Sequence, residues 1–216
     1  MSTASPSPAT PQPAAGYPRL VADIGGTNAR FAWIAGPAMA PSHLQTLKSS
    51  DHAGPAEAAS AYLAALAPRL GTAWRVPRRA AFAVATAVVG DRVVFTNSAW
   101  TFSRDDVRQA LGLESLCVVN DFEALALSLP HLSAAQRQAH AQPPLPDLAD
   151  APVGTVLAVV GPGTGLGVGA VLRTRTGWQA VPGEGGHATL AAADELEADV
   201  IAVVRRQYPH VSAERL

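Results

Sequence analysis

Short apolar runs that end in glycine-rich turns recur along the chain. Residues 20–24 form one such run, and a turn at 25–27 separates it from a second run at 29–35. The arrangement returns near the other end, where runs at 155–160 and 166–172 flank a turn at 163–165. Because apolar runs bounded by glycine are typical of strands joined by tight turns, both regions predict a strand–turn–strand unit.

Helical features lie between and after these units. Residues 57–66 are rich in alanine, and we expect Pro68 to stop that helix. Ser103 predicts an N-cap, with acidic residues in the following turn and Gly112 just past the end. Two more helices are predicted at 122–129 and 194–208, and the second has an apolar stripe formed by Leu196, Val200, Val203 and Val204.

Further strands are predicted at 81–85, 92–95 and 116–119, so strands and helices are mixed along the chain. This mixture indicates an α/β protein that does not simply alternate strand and helix. Residues 1–18 are rich in proline, alanine and serine, and we expect a disordered tail there. A proline-rich connection within 133–152 leads us to divide the remainder into domains at 19–131 and 132–216.

The composition excludes several classes of protein. Of the 216 residues, 48% are hydrophobic and 15% charged, and the formal net charge of −1 is too small for a chain disordered throughout. The 16 basic residues nearly balance the 17 acidic ones, so nucleic acid is not an expected partner. Lys48 is the only lysine and stands outside any glycine run, which rules out a P-loop NTPase.

The number of cysteines and the length of the apolar stretches indicate where in the cell the protein is expected. Cys117 is the single cysteine, so it cannot form an intrachain disulfide or a multi-cysteine zinc site, and we expect it to be a small core residue. No uninterrupted apolar stretch reaches the roughly 18 residues of a membrane span. The first 17 residues lack the charged and apolar regions of a signal peptide. We therefore expect a soluble, cytoplasmic protein.

The two glycine turns are candidate phosphate sites. Glycine lets the backbone approach a ligand closely, and successive N–H groups in a tight turn form a concave anion site. Asp23 precedes the first turn and would suit a phosphate only with Mg²⁺ or its water shell between them. The alternative is that both turns are hairpins whose glycines serve only geometry.

Asn120 and Asp121 stand where a predicted strand gives way to a helix. An acid at the end of a strand can act as a general base on a substrate hydroxyl. Asp121 would equally serve as an N-cap for the helix that follows, and the sequence alone leaves both roles open.

Glu184 and His187 lie in a glycine-rich loop that contains no apolar anchor. Polar side chains on such a loop suit hydrogen bonds to a polyhydroxylated ligand. A metal site is the weaker alternative, because two ligands without a third do not make one.

A dinucleotide fold competes for the second glycine turn. Gly165, Gly167 and Ala170 fit the G-x-G-x-x-[GA] spacing, and Glu184 falls about 20 residues further on, as that fingerprint requires. The fingerprint must open a helix, so an oxidoreductase of this type predicts a helix directly after Gly165.

Taken together, these segments resemble the bacterial glucokinases of the hexokinase-like, actin-fold ATPase superfamily. The matching segments follow the family's order and are DIGGTNAR (23–30), TNSAW (96–100), NDF (120–122), GTGLGV (163–168), PGEGGH (182–187) and SAER (212–215). The first is common to the superfamily, whereas PGEGGH and SAER are more particular to glucokinases. The resemblance implies a two-domain actin-like ATPase fold (ribonuclease H-like) with an incomplete second domain, because family members are longer.

The resemblance also implies ATP-dependent phosphorylation of glucose at its 6-hydroxyl, a step of glycolysis. Asp121 would be the general base that takes the proton from this hydroxyl. Other sugar hydroxyls would be held by Asn120, Glu184, His187 and Glu214. Phosphates of ATP would contact Gly25, Gly26, Thr27, Gly163, Thr164 and Gly165, with Asp23 near Mg²⁺ through water.

These roles set the expected contents of each domain and the expected partners. Residues 19–131 would carry the first phosphate loop and the catalytic aspartate, and 132–216 the second phosphate turn and the sugar loop. The expected partners are glucose and ATP, and a homodimer is expected because the family is often dimeric. Because the family's adenosine-binding segment lies beyond Leu216, the alternative is a truncated glucokinase that binds sugar with weak kinase activity or none.

Overall fold

A computed structural model describes residues 16–95, 100–138, 140, 148, 150–163 and 165–216. Most of the predicted tail (1–15), most of the TNSAW segment (96–99) and Thr164 lie outside the described residues. Contacts between Cα atoms divide the chain into two compact units, Met1–Asn120 and Asp121–Leu216.

The first unit is built on a five-stranded sheet. Its strands are β1 (Arg19–Ile24), β2 (Asn28–Ile34), β3 (Ser42–Lys48), β4 (Arg79–Val84) and β7 (Ser115–Asn120), and their spatial order is β3-β2-β1-β4-β7. β1, β2 and β3 pair antiparallel in sequence, whereas β1, β4 and β7 run parallel. β5 (Arg92–Val94) and β6 (Thr101–Ser103) form a separate antiparallel hairpin. The strands predicted in this half of the chain are confirmed.

The core of this unit follows from the alternation of buried positions along its strands. In β1, Leu20 and Ile24 are fully buried, and Phe31 of β2 is fully buried as well. Phe31 stacks on Tyr62 with ring centroids 5.5 Å apart, which attaches the helix α1 (Pro55–Leu70) to the sheet. Burial raises the pKa of Tyr62 to about 12.

The end of α1 differs from the prediction. Pro68 does not stop the helix, which continues to Leu70 and ends at Gly71 with φ of +51°. Proline lacks one N–H, so the helix loses only the hydrogen bond that residue 68 would donate and continues for two more residues. The predicted N-cap of α2 (Arg104–Ala110) is confirmed, because the Ser103 side chain accepts a hydrogen bond from Asp106 N.

Cys117 is exposed, so the prediction of a core cysteine was wrong. β7 lies at the edge of the sheet, and the neighbouring Val118 takes the buried position. Alternation along a strand then turns Cys117 to the other face.

The second unit contains a three-stranded antiparallel sheet in the order β10-β9-β8. Its elements are the strands β8 (Val156–Pro162), β9 (Leu166–Thr174) and β10 (Gly177–Val181) and the helices α3 (Asp121–Ser128) and α4 (Glu195–Arg205). The second strand–turn–strand unit is therefore confirmed. α3 packs on this sheet, and this packing is why the compact unit begins 11 residues before the domain boundary predicted at 132.

The apolar stripe predicted on α4 is largely exposed among the described residues. Leu196 is 72% exposed and Val203 59%, while Ile201 is the buried residue of the helix. Val160 of β8 is likewise 61% exposed. Among the described residues, none of the helices combines the length and apolar character that crossing a membrane requires.

Candidate active site

The parallel strands of the first unit bring two candidate site features to the edge of the sheet formed by their carboxyl ends. Ile24 at the end of β1 pairs with Val84, and Val84 pairs with Asn120 at the end of β7. The glycine turn at 25–27 and Asn120 therefore lie at the same edge, which is where ligands bind in open α/β sheets. Asn120 donates from Nδ2 to the backbone oxygen of Thr86, 3.2 Å away, so its side chain is anchored there.

The first glycine turn is closed by a backbone hydrogen bond of 2.8 Å from Gly25 N to Asn28 O. A Cβ at Gly25 would meet only Asn28 O, at 3.6 Å, which is an ordinary contact. The backbone at Gly25 is also outside the left-handed region. The fold of this unit thus does not require glycine at position 25, whereas the close approach of a ligand to the backbone would.

Asp23 is paired with Arg30 across β1 and β2. The two residues face each other in the strand register, and Arg30 Nη1 lies 2.9 Å from Asp23 Oδ2. Both side chains are about half exposed, at 52% for Arg30 and 54% for Asp23. Arg30 was not predicted as a site residue, although its place opposite Asp23 in the strand register sets a basic side chain beside the candidate metal ligand.

A Mg²⁺ ion fits beside Asp23 only if substrate phosphates and water supply its other ligands. The described residues contain no group of three or more histidine, cysteine, aspartate or glutamate side chains that would enclose a metal. Mg²⁺ is commonly held by one or two carboxylates together with substrate phosphates and water. A single exposed carboxylate beside a candidate phosphate turn has that chemistry.

The second unit brings three predicted sugar-binding residues together. His187 Nε2 lies 3.6 Å from Glu214 Oε1 and 3.9 Å from Glu184 Oε2. His187 belongs to the short 3-10 helix Gly185–His187, and Glu214 to the short 3-10 helix Ala213–Arg215. The backbone bond from Leu190 N to Val211 O, together with the bridge between Thr189 and Ser212, joins the two segments. One imidazole between two carboxylates offers several donors and acceptors within a small area.

Glu214 also reaches the second glycine turn. Its Oε2 accepts a hydrogen bond of 3.0 Å from Leu166 N, directly after the turn. A Cβ at Gly165 would lie 2.6 Å from that oxygen, and one at Gly186 would lie 1.9 Å from Leu166 O. Gly186 is therefore required by packing against backbone, whereas a side chain at Gly165 would displace the Glu214 carboxylate. Gly163, in contrast, has nothing within 4 Å of its Cβ position, and Gly163 N donates to Gly165 O at 2.8 Å.

Asp121 is the first residue of α3, and its Oδ1 accepts a hydrogen bond of 2.9 Å from Phe122 N. The carboxylate thus binds the amide of the next residue in its own helix. This bond also fixes the side chain, and negative charge is favoured at a helix N-terminus. The structure leaves the general-base role of Asp121 as a proposal.

The strand β9 begins at Leu166, one residue after Gly165. A dinucleotide fingerprint would open a helix here. The oxidoreductase alternative is therefore wrong, because the β-branched residues after the turn pair with β8 and β10.

Comparison with known sequences decides the family. The profile of the family described as Glucokinase matches residues 20–216. The chain belongs to the glucokinase family. It is 48% identical over 199 residues to the glucokinase of Aromatoleum aromaticum and 44% identical over 201 residues to that of Ralstonia nicotianae. These alignments cover 92% and 93% of the chain but 57% and 56% of the two relatives, so it spans little more than half the length of these family members.

Solved structures identify the fold. A glucokinase from an Antarctic psychrotroph superposes with a TM-score of 0.72 at 35% identity, covering 91% of this chain and 59% of that one. A glucokinase from Balamuthia mandrillaris, solved with glucose, gives a TM-score of 0.58 at 19% identity, over 91% of this chain and 58% of the other. The ROK hexokinase of Thermus thermophilus gives 0.55 at 19% identity, covering 91% and 66%. The fold is the actin-like ATPase fold of sugar kinases, present in part.

Proposed function

We propose that the protein transfers the γ-phosphate of ATP to the 6-hydroxyl of glucose. The cluster formed by Glu184, His187 and Glu214 carries this proposal, because it joins hydrogen-bonding side chains to a glycine turn in a chain of the glucokinase family. The glucose bound in the Balamuthia mandrillaris structure supports the choice of sugar.

In this proposal Glu184, His187 and Glu214 bind sugar hydroxyls, and Asn120 binds another. A sugar that lacks one of these hydroxyls would leave a polar group without its partner, which is how such a site selects its substrate. The 3.0 Å bond from Leu166 N to Glu214 holds one carboxylate oxygen in place, so the site is partly organised before the sugar arrives.

The backbone of the two turns contacts the phosphates, and Gly25 and Gly163, whose N–H groups donate within the turns, contribute by allowing the ligand to approach closely. The first turn offers Gly25, Gly26 and Thr27, and the second offers Gly163, Gly165 and Thr164, the last of which lies outside the described residues. Asp23 would hold Mg²⁺ through water, and the ion would supply neutralisation of the phosphate charge. Phosphoryl transfer depends mainly on positioning and on neutralising charge, and the two turns serve both needs.

Asp121 acts as the general base and accepts the proton of the sugar 6-hydroxyl as that oxygen attacks phosphorus. The bond from Phe122 N holds one carboxylate oxygen, Oδ1, and orients the group. We also propose a cytoplasmic, glycolytic enzyme that forms a homodimer and has domains at 19–131 and 132–216, on the strength of the family resemblance.

A coupled assay of glucose-dependent ADP release on the full-length protein tests this function. Asp121→Asn is expected to lower turnover by about 100-fold to 10,000-fold, the range that general-base catalysis supplies. Asp199→Asn, which changes an exposed aspartate of α4, serves as the matched control and should leave turnover unchanged. Equal turnover in both variants would contradict the role of Asp121, and no glucose-dependent ADP release in the wild type would contradict the function.

The coverage of the relatives favours a second candidate, a chain that binds sugar with weak kinase activity or none. The 199 aligned residues correspond to only 57% of the Aromatoleum aromaticum protein. Calorimetry of the 216-residue chain with glucose and, separately, with ATP and Mg²⁺ distinguishes the two. Glucose binding without turnover supports the second candidate, and full nucleotide affinity with turnover rejects it.

A further inference from the structure

We propose that Ser49 is a positioning residue that fixes the first glycine turn for phosphate binding. The inference rests on the phosphate-binding role proposed above for residues 25–27. Ser49 follows β3 directly, in a region of the sequence that matches none of the glucokinase segments.

The strand register places Ser49 beside the turn. Asn28, the first residue of β2, pairs with Lys48, the last residue of β3. Ser49 follows Lys48 and Thr27 precedes Asn28, so the antiparallel register places these two residues side by side. Ser49 N donates a hydrogen bond of 2.9 Å to Thr27 O.

The hydroxyl of Ser49 reaches the other end of the same turn. Ser49 Oγ donates to Gly25 O at 3.3 Å, so one residue binds the first and the last carbonyl of a three-residue turn. Ser49 is only 3% exposed, and among the described residues it is one of two buried polar side chains, with Ser212. Buried polar groups are costly unless they are hydrogen-bonded, so the position indicates a specific contact.

These two bonds determine where the turn's amide groups point. In a planar trans peptide the carbonyl and the following N–H point in opposite directions. The peptide from Gly25 to Gly26 is trans, so holding Gly25 O toward Ser49 turns Gly26 N–H away from Ser49. A turn whose Gly26 N–H is already held in this direction is ready to bind an anion without rearrangement.

The test compares variants at two serines, one at each end of β3. Ser42 is the first residue of the strand, and Ser49 directly follows its last residue. Ser49→Ala removes the hydroxyl that binds Gly25 O, whereas Ser42→Ala removes a similar bond of 3.1 Å to Trp33 O at the opposite end of β3. Ser49→Thr and Ser49→Val form a second matched pair, because they have nearly the same shape but only threonine keeps a hydroxyl. All variants are made in the full-length protein.

We expect Ser49→Ala to raise the KM for ATP with Mg²⁺ about threefold to tenfold, the range for loss of one neutral hydrogen bond. The KM for glucose should not change, and Ser42→Ala should behave as wild type. Ser49→Thr should retain a lower KM for ATP than Ser49→Val. A merely structural role would instead raise both KM values or lower the melting temperature without the split between substrates.

Hydrogen exchange of the segment 24–29 gives a readout that does not depend on activity. It should be faster in Ser49→Ala than in the wild type and in Ser42→Ala. Unchanged exchange, or a KM for ATP within twofold of the wild type, would overturn the role of Ser49. If the wild type failed to use ATP, the proposed function would fall, while the exchange measurement would still decide whether Ser49 holds the turn.

Discussion

Gly167 has no room for a side chain, and we expect Gly167→Ala to destabilise the second unit. A Cβ at this position would lie 2.0, 2.1 and 2.4 Å from three atoms of the Phe122 ring. Carbon atoms pack at about 3.5 Å or more, so the ring or the strand would have to move by about 1.5 Å. Phe122 lies on α3 immediately after Asp121, and the movement would therefore reach the proposed base.

The change in the free energy of unfolding caused by Gly167→Ala is the balance of two opposing effects. Forcing an extra carbon into a packed site costs about 1–3 kcal/mol. Replacing a strand glycine by alanine recovers roughly 0.5–1 kcal/mol of backbone entropy. We expect a net loss of about 1–2 kcal/mol, which corresponds to about 4–16 °C in melting temperature for a unit of this size.

Thermal unfolding followed by circular dichroism measures this shift. Gly163→Ala is the control, because its Cβ would have nothing within 4 Å and its backbone is not left-handed, so its melting temperature should stay at the wild-type value. Phe122→Leu in the Gly167→Ala background should recover part of the loss, because leucine removes ring atoms from the contact. If Gly167→Ala has the same melting temperature as Gly163→Ala, Phe122 does not pack against β9 as described.

Two further predictions concern carboxylates. Glu214→Gln keeps an acceptor for Leu166 N but removes the charge beside His187, so glucose affinity should fall about tenfold or more by calorimetry, whereas Glu195→Gln on the exposed start of α4 should not alter it. Hydrogen bonds from the Ser103 hydroxyl, and then from a backbone N–H, lower the pKa of Asp91 from its ordinary value of 3.8. The stability this carboxylate contributes is present above pH 3.8 and is lost as the pH falls through its lower pKa in the folded state, so Asp91→Asn should reduce the loss of melting temperature on acidification below pH 3.8. An acid dependence identical to that of the wild type would contradict this.

The strands and the turns were predictable because their signals are local. Apolar runs bounded by glycine gave β1, β2, β8 and β9, and the N-cap at Ser103 gave the start of α2. The errors arose where tertiary context decides. Pro68 is tolerated because it removes only one helical hydrogen bond, and Cys117 is exposed because it alternates along β7 with Val118, which takes the buried position.

The site was predictable from motifs only in part. Glu184, His187 and Glu214 come together as the resemblance implied, although Glu214 is distant from the other two in sequence. Ser49 and Arg30 act through strand pairing, since each is placed beside its partner by the register of β2 with β3 or β1. The pattern of residues along one strand does not predict which residues of the neighbouring strand lie opposite.

The glycines of the two turns are present for different physical reasons. Gly186 has no room for a Cβ against the Leu166 backbone, so packing accounts for it, and a Cβ at Gly165 would displace the Glu214 carboxylate. Gly25 and Gly163 have room and an ordinary backbone, and the described structure gives no reason to exclude a side chain at either position. In the alternative of two simple hairpins, both positions would tolerate alanine without any effect on ATP binding. Under the proposed function a phosphate approaches the backbone at each turn, so we expect alanine at either position to weaken ATP binding without lowering stability.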